Sequence, residues 1–128
     1  MAQFILSSAP PEKDGETITF ELFENERPRQ GFILRRNGEL LAFLNECPHW
    51  SVDLDLGDED FYDQKIDRIY CKNHGALFVL PDGECETGPC LGRKLIRFEV
   101  QANQDDLRIL LPPPYSTSAT SRDKNGAR

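Results

Sequence analysis

The sequence predicts an all-β protein, built as a small antiparallel sandwich or partial barrel. Short apolar runs bounded by turn residues recur along the chain, several of them with period two, and no segment has an extended helical stripe. The 128 residues, 38% of them hydrophobic, are enough for one domain with a modest core. We therefore expect a single domain over residues 1–112, followed by a tail over residues 113–128.

Turn residues and prolines divide the chain into predicted strands. Asn37-Gly38 between two apolar runs is the strongest hairpin signal, and Pro81-Asp82-Gly83 marks a second turn. Three successive prolines at 112–114 end the last strand, and the polar segment after them lacks apolar periodicity, which predicts a disordered tail. The predicted strands are residues 17–23, 31–36, 39–44, 65–72, 76–80, 94–100 and 106–111.

The charge and composition exclude several classes of partner. A net charge of −7 disfavours binding to nucleic acid or to anionic lipid, both of which require a basic surface. No apolar run is long enough to cross a bilayer, and the N-terminus lacks the pattern of a secretory signal, so we expect a soluble cytoplasmic protein. In a reducing compartment, the four cysteines indicate metal ligands before disulfides.

Both histidines of the chain lie directly behind cysteines. Cys47 precedes His49 by two residues, Cys71 precedes His74 by three, and 21 residues separate the two pairs. Each pair is short enough for one tight loop to direct both side chains at a common point. The alternative, buried structural cysteines with unrelated histidines, requires that both histidines fall beside cysteines by chance. The four residues therefore form the candidate metal site.

Two kinds of metal fit this donor set. Two cysteines and two histidines can hold a tetrahedral zinc ion, although zinc fingers usually pair cysteine with cysteine and histidine with histidine in each knuckle. One cysteine and one histidine in each loop suit a two-iron cluster, in which thiolates hold one iron and imidazoles hold the other. Zinc remains the alternative at this point.

The two loops, "CPHW" and "CKNHGALF", followed by "PDGECETGPCLGRKLIRFEV", resemble those of Rieske-type ferredoxins and related Rieske domains. The resemblance runs from about Gly31 to Leu111. It implies a Rieske domain over residues 1–112, in which the two loops form a cluster-binding subdomain. We assign the extra length between the loops to a polar insertion at residues 57–64. The implied cofactor is one [2Fe-2S] cluster, with Cys47 and Cys71 on the inner iron and His49 and His74 on the outer iron.

The resemblance also implies a function. It predicts a one-electron carrier rather than an enzyme, working between a flavin-dependent NAD(P)H reductase and a ring-hydroxylating or related oxygenase. Two alternatives are a small Rieske-like subunit of a larger oxidoreductase, of the nitrite reductase type, and a structural zinc-binding module.

The residues around the predicted ligands indicate a low reduction potential. In the high-potential Rieske proteins of respiratory chains, a disulfide joins the two loops, and a serine and a tyrosine hydroxyl point at sulfur atoms. Val52 and Asn73 stand here at the positions of the two disulfide cysteines, so that disulfide cannot form. Ala76 and Phe78 stand at the positions of the serine and the tyrosine, so both hydroxyls are missing. Losing hydrogen bonds to sulfur destabilises the more negative reduced cluster, so we expect a potential of roughly −150 mV.

Two further groups of residues carry weaker signals. We expect Cys85 and Cys90 to be reduced, partly buried small residues rather than a second metal site or a redox pair. The acids between the loops predict a solvated loop, with a docking surface for a basic redox partner as the alternative. These acids are Asp53, Asp55, Asp58, Glu59, Asp60 and Asp63.

Overall fold

The computed structural model describes residues 2–6, 10–48, 54–55, 60–72, 75–88, 90–102 and 106–116. Within these ranges the chain forms strands and no helix, and so nothing there resembles a membrane-spanning helix. The strands are β1 (Ala2–Leu6), β2 (Thr17–Glu24), β3 (Arg27–Arg36), β4 (Glu39–Leu44), β5 (Tyr62–Asp63), β6 (Arg68–Tyr70), β7 (Leu77–Val79), β8 (Glu84–Thr87), β9 (Arg97–Ala102), β10 (Leu107–Leu111) and β11 (Tyr115–Ser116).

The larger of two sheets has the strand order β1-β10-β9-β4-β3-β2-β11, with every neighbouring pair antiparallel. Its two edge strands, β1 and β11, come close together, so the sheet curls into a nearly closed barrel. The smaller sheet is an antiparallel meander with the order β5-β6-β7-β8. The predicted all-β fold is therefore confirmed, in its partial-barrel form.

Strand β4 shows why the centre of the large sheet is apolar in consecutive positions. Leu41 and Phe43 belong to a core cluster shared with the small sheet, whereas Ala42 and Leu44 belong to the core inside the barrel. Alternate side chains of a strand point to opposite faces, so a strand covered on both faces needs apolar residues throughout. The Asn37-Gly38 turn joins this strand to β3, with φ of 51° and 81°, as the hairpin signal predicts.

Residues 93–96 connect the two sheets, and we call them the crossing segment. The Cys85 amide in β8 donates to the Arg93 carbonyl at 2.8 Å, and the Leu95 amide donates to the Gly83 carbonyl at 2.9 Å. At the other end of the segment, the Leu44 amide donates to the Ile96 carbonyl at 2.9 Å. The crossing segment therefore connects the small sheet to the large sheet through backbone hydrogen bonds.

The structure differs from the sequence prediction between the two ligand loops. Phe61, inside the predicted polar insertion, is fully buried and stacks on Phe32 of the large sheet, with ring centroids 4.0 Å apart. Tyr62 and Asp63 form β5, so the insertion contributes a strand and a core residue rather than loop alone. Its residues 57–59 lie outside the described part of the chain.

The sheet also extends past the predicted end of the domain. Tyr115 and Ser116 pair with Glu24 and Phe23 of β2, beyond the prolines. The Tyr115 ring packs edge-on against Phe98 at 5.3 Å. These two residues therefore belong to the sheet and not to the predicted tail, and residues 117–128 lie outside the described part of the chain.

Candidate metal centre

The first ligand loop begins where β4 ends. The Asn45 amide donates to the Gln30 carbonyl at 2.8 Å, which continues the pairing of β3 with β4 one residue past the end of β4. Cys47 follows two residues later and its side chain is fully buried. His49, the second predicted ligand of this loop, lies outside the described residues.

The second ligand loop connects β6 to β7. Cys71 directly follows β6, is fully buried, and donates its amide hydrogen to the Ala76 carbonyl at 2.9 Å. The Gly75 amide donates to the Cys71 carbonyl at 2.8 Å, and Gly75 has a φ of 71°, which glycine adopts without a steric penalty. His74 lies inside this turn but outside the described residues.

A hydrogen-bond network through Asn45 joins the two loops. Its Oδ1 accepts from the Leu54 amide at 2.7 Å, and its Nδ2 donates to Gln30 Oε1 at 2.7 Å and to Asp55 Oδ1 at 3.1 Å. The Leu54 carbonyl in turn accepts from the Lys72 amide, next to Cys71, at 2.9 Å. These hydrogen bonds connect Asn45, two residues before Cys47, through Leu54 to Lys72, the residue after Cys71.

The predicted solvated loop of acids is wrong for Asp55, which is only 1% exposed and bonded to Asn45. Asp60, by contrast, is exposed; it accepts from the Tyr70 hydroxyl at 2.8 Å and lies 3.7 Å from Lys72 Nζ. Asp53, Asp58 and Glu59 lie outside the described residues. A docking surface on these acids stays a prediction.

Gly88 and residues 90–93 belong to a third loop, which touches both ligand loops. A Cβ on Gly88 would lie 2.9 Å from Cα and Cβ of Ala76, so only glycine allows this close approach to the second ligand loop. On the other side, Arg93 Nη1 donates to the Pro48 carbonyl of the first ligand loop at 3.1 Å. The third loop therefore contacts both ligand loops and holds them in place.

All four cysteines are unbridged and buried, and they belong to one core cluster. The Cys90 thiol donates to Cys85 Sγ at 2.6 Å, and the Cys85 thiol contacts the Thr87 carbonyl at 3.1 Å. Burial, followed by the hydrogen bond to Cys85, raises the pKa of Cys90 to about 12. The predicted burial of these two cysteines is confirmed, at 2% and 0% exposure, and their reduced state stays a prediction.

Asn45 and Arg93 are the supporting residues that sequence reasoning missed. A single asparagine after a strand is typical of a turn, and a single arginine near the C-terminal strands is typical of a solvated surface. Their roles depend on partners distant in sequence, such as Leu54 and Pro48, so no local pattern marks them.

The described donors fit the thiolate half of a Rieske site. Cys47 and Cys71 come from two loops that are hydrogen-bonded to each other, and both are enclosed by apolar residues such as Ala76 and Phe78. Iron–sulfur clusters are held by thiolates in such sheltered positions, and their potential depends on exposure. The imidazole half of the site falls on residues that the structure does not describe.

Comparison of the chain with models of known protein families identifies the family to which it belongs. The model of the Rieske [2Fe-2S] domain matches residues 7–107, which agrees with the resemblance and with the predicted [2Fe-2S] cofactor. A search of curated protein sequences found no match.

Solved structures show the same fold at low identity. The ferredoxin of carbazole 1,9a-dioxygenase from Nocardioides aromaticivorans IC177 is 17% identical, with a TM-score of 0.62, and the match covers 85% of this chain and 97% of that one. A complex of reduced oxygenase and oxidized ferredoxin in carbazole 1,9a-dioxygenase contains a chain that is 18% identical, with a TM-score of 0.60 and coverage of 84% and 91%. The terminal oxygenase of carbazole 1,9a-dioxygenase from Novosphingobium sp. KA1 is 14% identical, with a TM-score of 0.63; 93% of this chain matches 32% of that one.

Proposed function

Since the chain belongs to the Rieske [2Fe-2S] domain family, we propose that it is a one-electron carrier and not itself an enzyme. Its electron donor is a flavin-dependent NAD(P)H reductase, and its acceptor is a ring-hydroxylating or related oxygenase. The protein works in the cytoplasm.

The proposed ligands are Cys47 and Cys71 on the inner iron and His49 and His74 on the outer iron. The bound cluster supplies reversible one-electron chemistry. The two cysteines lose their protons on binding, and their burial among apolar side chains keeps water away from the sulfur atoms. Asn45 and Arg93 hold the loops that carry these ligands.

The extent of the structural match carries the proposal. The chain spans 97% of a Rieske ferredoxin, but only 32% of the length of a terminal oxygenase with the same domain. The match therefore extends over nearly the whole ferredoxin but over only about a third of the oxygenase chain. One of the similar structures is a complex of an oxygenase with a ferredoxin, which supports an oxygenase as the acceptor.

The test of the cofactor is spectroscopic. The purified protein is assayed for iron, acid-labile sulfide and zinc, and its EPR spectrum is recorded after reduction with dithionite. We expect equal amounts of iron and sulfide and a Rieske-type signal. The variants C47S, C71S, H49A and H74A should each lose that signal, and C90A should keep it as the matched control. An unchanged signal in any of the first four would remove that residue from the ligand set.

The test of the function is kinetic. Electrons from NADH, passed through a flavoprotein reductase, should reduce the protein, and the reduced protein should be reoxidised on mixing with a Rieske oxygenase. A colourless protein with one zinc per chain would replace this proposal with the structural zinc module. A tight complex with a large catalytic subunit, in the absence of exchange with free oxygenase, would favour the subunit of a nitrite reductase-type enzyme.

A further inference from the structure

The thiols of Cys85 and Cys90 are in contact with each other, and neither cysteine is a proposed ligand of the cluster. Cys85 is in β8, and Cys90 is in the third loop, five residues later. Their Sγ atoms are 2.6 Å apart, closer to each other than Cys85 Sγ is to the Thr87 carbonyl at 3.1 Å. The two thiols are therefore in direct contact, which places them within reach of a disulfide bond.

Contrary to the expectation from the sequence, we propose that Cys85 and Cys90 are a redox-active dithiol, which closes to an intramolecular disulfide when it meets a small-molecule disulfide. The modification is separate from the [2Fe-2S] site, because it uses neither of the proposed cysteine ligands. It does not rest on the proposed function.

The described residues that adjoin the two cysteines in sequence are exposed to solvent. Both sulfur-bearing side chains are buried, at 2% and 0% exposure, but Glu86, Thr87 and Gly88 between them are exposed. Leu91, next to Cys90, is 67% exposed. The third loop also has two positive-φ positions, Gly88 and Gly92, which make it a turn rather than an extension of the sheet. A short surface turn of this kind opens at lower free energy than the sheets below it.

The exchange proceeds in two balanced steps. One sulfur of the pair, after losing its proton, attacks the small disulfide; a new S–S bond forms, the bond in the reagent breaks, and one small thiol leaves. The second sulfur loses its proton and attacks the mixed disulfide, which releases the second small thiol. The pair gives up two protons and two electrons, and the reagent takes up both.

Proteolysis can isolate the pair. Trypsin cleaves after Lys72 and Arg93, so one peptide, residues 73–93, contains both cysteines and neither Cys47 nor Cys71. The cluster-loaded protein is incubated with 2-hydroxyethyl disulfide while its visible spectrum is followed. It is then denatured in the presence of N-ethylmaleimide, digested, and analysed by mass spectrometry.

We expect the untreated peptide to carry two maleimide groups. The treated peptide should carry none and should be lighter than the unlabelled peptide by two hydrogens, while the visible spectrum is retained. In the matched variants C85A and C90A, the same treatment should give a labelled cysteine or a mixed disulfide, and no closed peptide.

Two results would overturn the proposal. One is a wild-type peptide that keeps both maleimide groups, or keeps a mixed disulfide that does not resolve. The other is a cross-link between peptide 73–93 and a peptide with Cys47 or Cys71, which would give the sulfur atoms a different partner. The first result leaves the iron content and the EPR signal unchanged, so failure of this proposal is distinguished from failure of the proposed electron-transfer function.

Discussion

Arg36 and Asp67 form a bidentate ion pair that joins the two sheets. Arg36, at the end of β3, donates from Nε to Oδ1 and from Nη2 to Oδ2 of Asp67, both at 2.8 Å. Asp67 lies in the turn before β6, and the Tyr62 hydroxyl also donates to it at 2.6 Å. Since Cys71 directly follows β6, this pair fixes the start of the second ligand loop relative to the large sheet.

The first prediction concerns the charge of Asp67. The hydrogen bonds from Arg36, ahead of those from Tyr62, lower the pKa of Asp67 from 3.8 to about 2. The D67N variant keeps the local backbone, because asparagine tolerates the φ of 57° found here, but it loses the charge. We expect a loss of about 1 kcal/mol of unfolding free energy, less than the pKa shift alone implies, because the Asp67 side chain is 41% exposed.

The pH dependence of that loss has a defined direction. The folded-state pKa of Asp67 lies below its unfolded value, so the stabilisation is complete above about pH 4 and disappears as the pH falls towards 2. Urea unfolding followed by circular dichroism should therefore show a constant difference between wild type and D67N from neutral pH to about pH 5. D82N, which removes an exposed turn carboxylate, is the control, and an equal loss in D82N would contradict the prediction.

The second prediction concerns the network that joins the ligand loops. N45A removes the acceptor of the Leu54 amide and a donor to buried Asp55. Leaving a buried polar group unpaired costs about 1–3 kcal/mol, so we expect N45A to lose stability of this order. Because Leu54 is also bonded to Lys72, the cluster should be lost faster to an iron chelator, measured as decay of the visible absorbance. A decay rate equal to that of wild type would show that Asn45 does not hold the loops.

The third prediction separates crowding from backbone strain in the third loop. Gly88 and Gly92 both have positive φ, 105° and 89°, so alanine costs about 1–2 kcal/mol of strain at either position. A Cβ at Gly88 also meets Ala76 at 2.9 Å, whereas a Cβ at Gly92 meets nothing within 4 Å. G88A should therefore accelerate loss of the cluster more than G92A does, and equal rates in the two variants would argue against a bracing role for this contact.

The fourth prediction concerns the reduction potential. Ala76 and Phe78 are fully buried and provide no hydroxyl, so we expect a midpoint of roughly −150 mV in a redox titration. A76S and F78Y should each raise it, by on the order of 60 mV if the new hydroxyl makes one hydrogen bond of about 1.4 kcal/mol to sulfur. A42S, in the core inside the barrel, is the control and should leave the midpoint unchanged. A positive midpoint in the wild type would contradict the argument.

The parts of the fold that the sequence predicts well are those with local signals. The hairpin at Asn37-Gly38 needs only a positive-φ turn between two apolar runs, and both are visible in the sequence. Strand β8, with the sequence ECET, has a single buried side chain, Cys85, and therefore no alternation to detect. Its strand conformation depends on pairing with β7 and with the crossing segment.

In the candidate site, too, the sequence predicts the residues that belong to a local motif and does not predict those whose placement depends on distant contacts. Cys47 and Cys71 are recognisable because each stands beside a histidine in a compact motif. The sequence predicts a solvated Asp55 because it is one of six acids between residues 53 and 63, and its burial follows from its hydrogen bond with Asn45, ten residues earlier. The same holds for Phe61, whose acidic and polar neighbours conceal a ring that stacks on Phe32. Contacts made at a distance along the chain are the ones that a single sequence does not reveal.

The crossing segment has a consequence for hydrogen exchange. The amides of Leu44, Cys85 and Leu95 are hydrogen-bonded between the crossing segment and either β4 or the start of β8, so their exchange requires the segment to detach. Such amides exchange by the largest openings of a protein. We expect the barrel and the small sheet to behave as one cooperative unit, in which the loops that hold the cluster open fully only when the barrel itself unfolds.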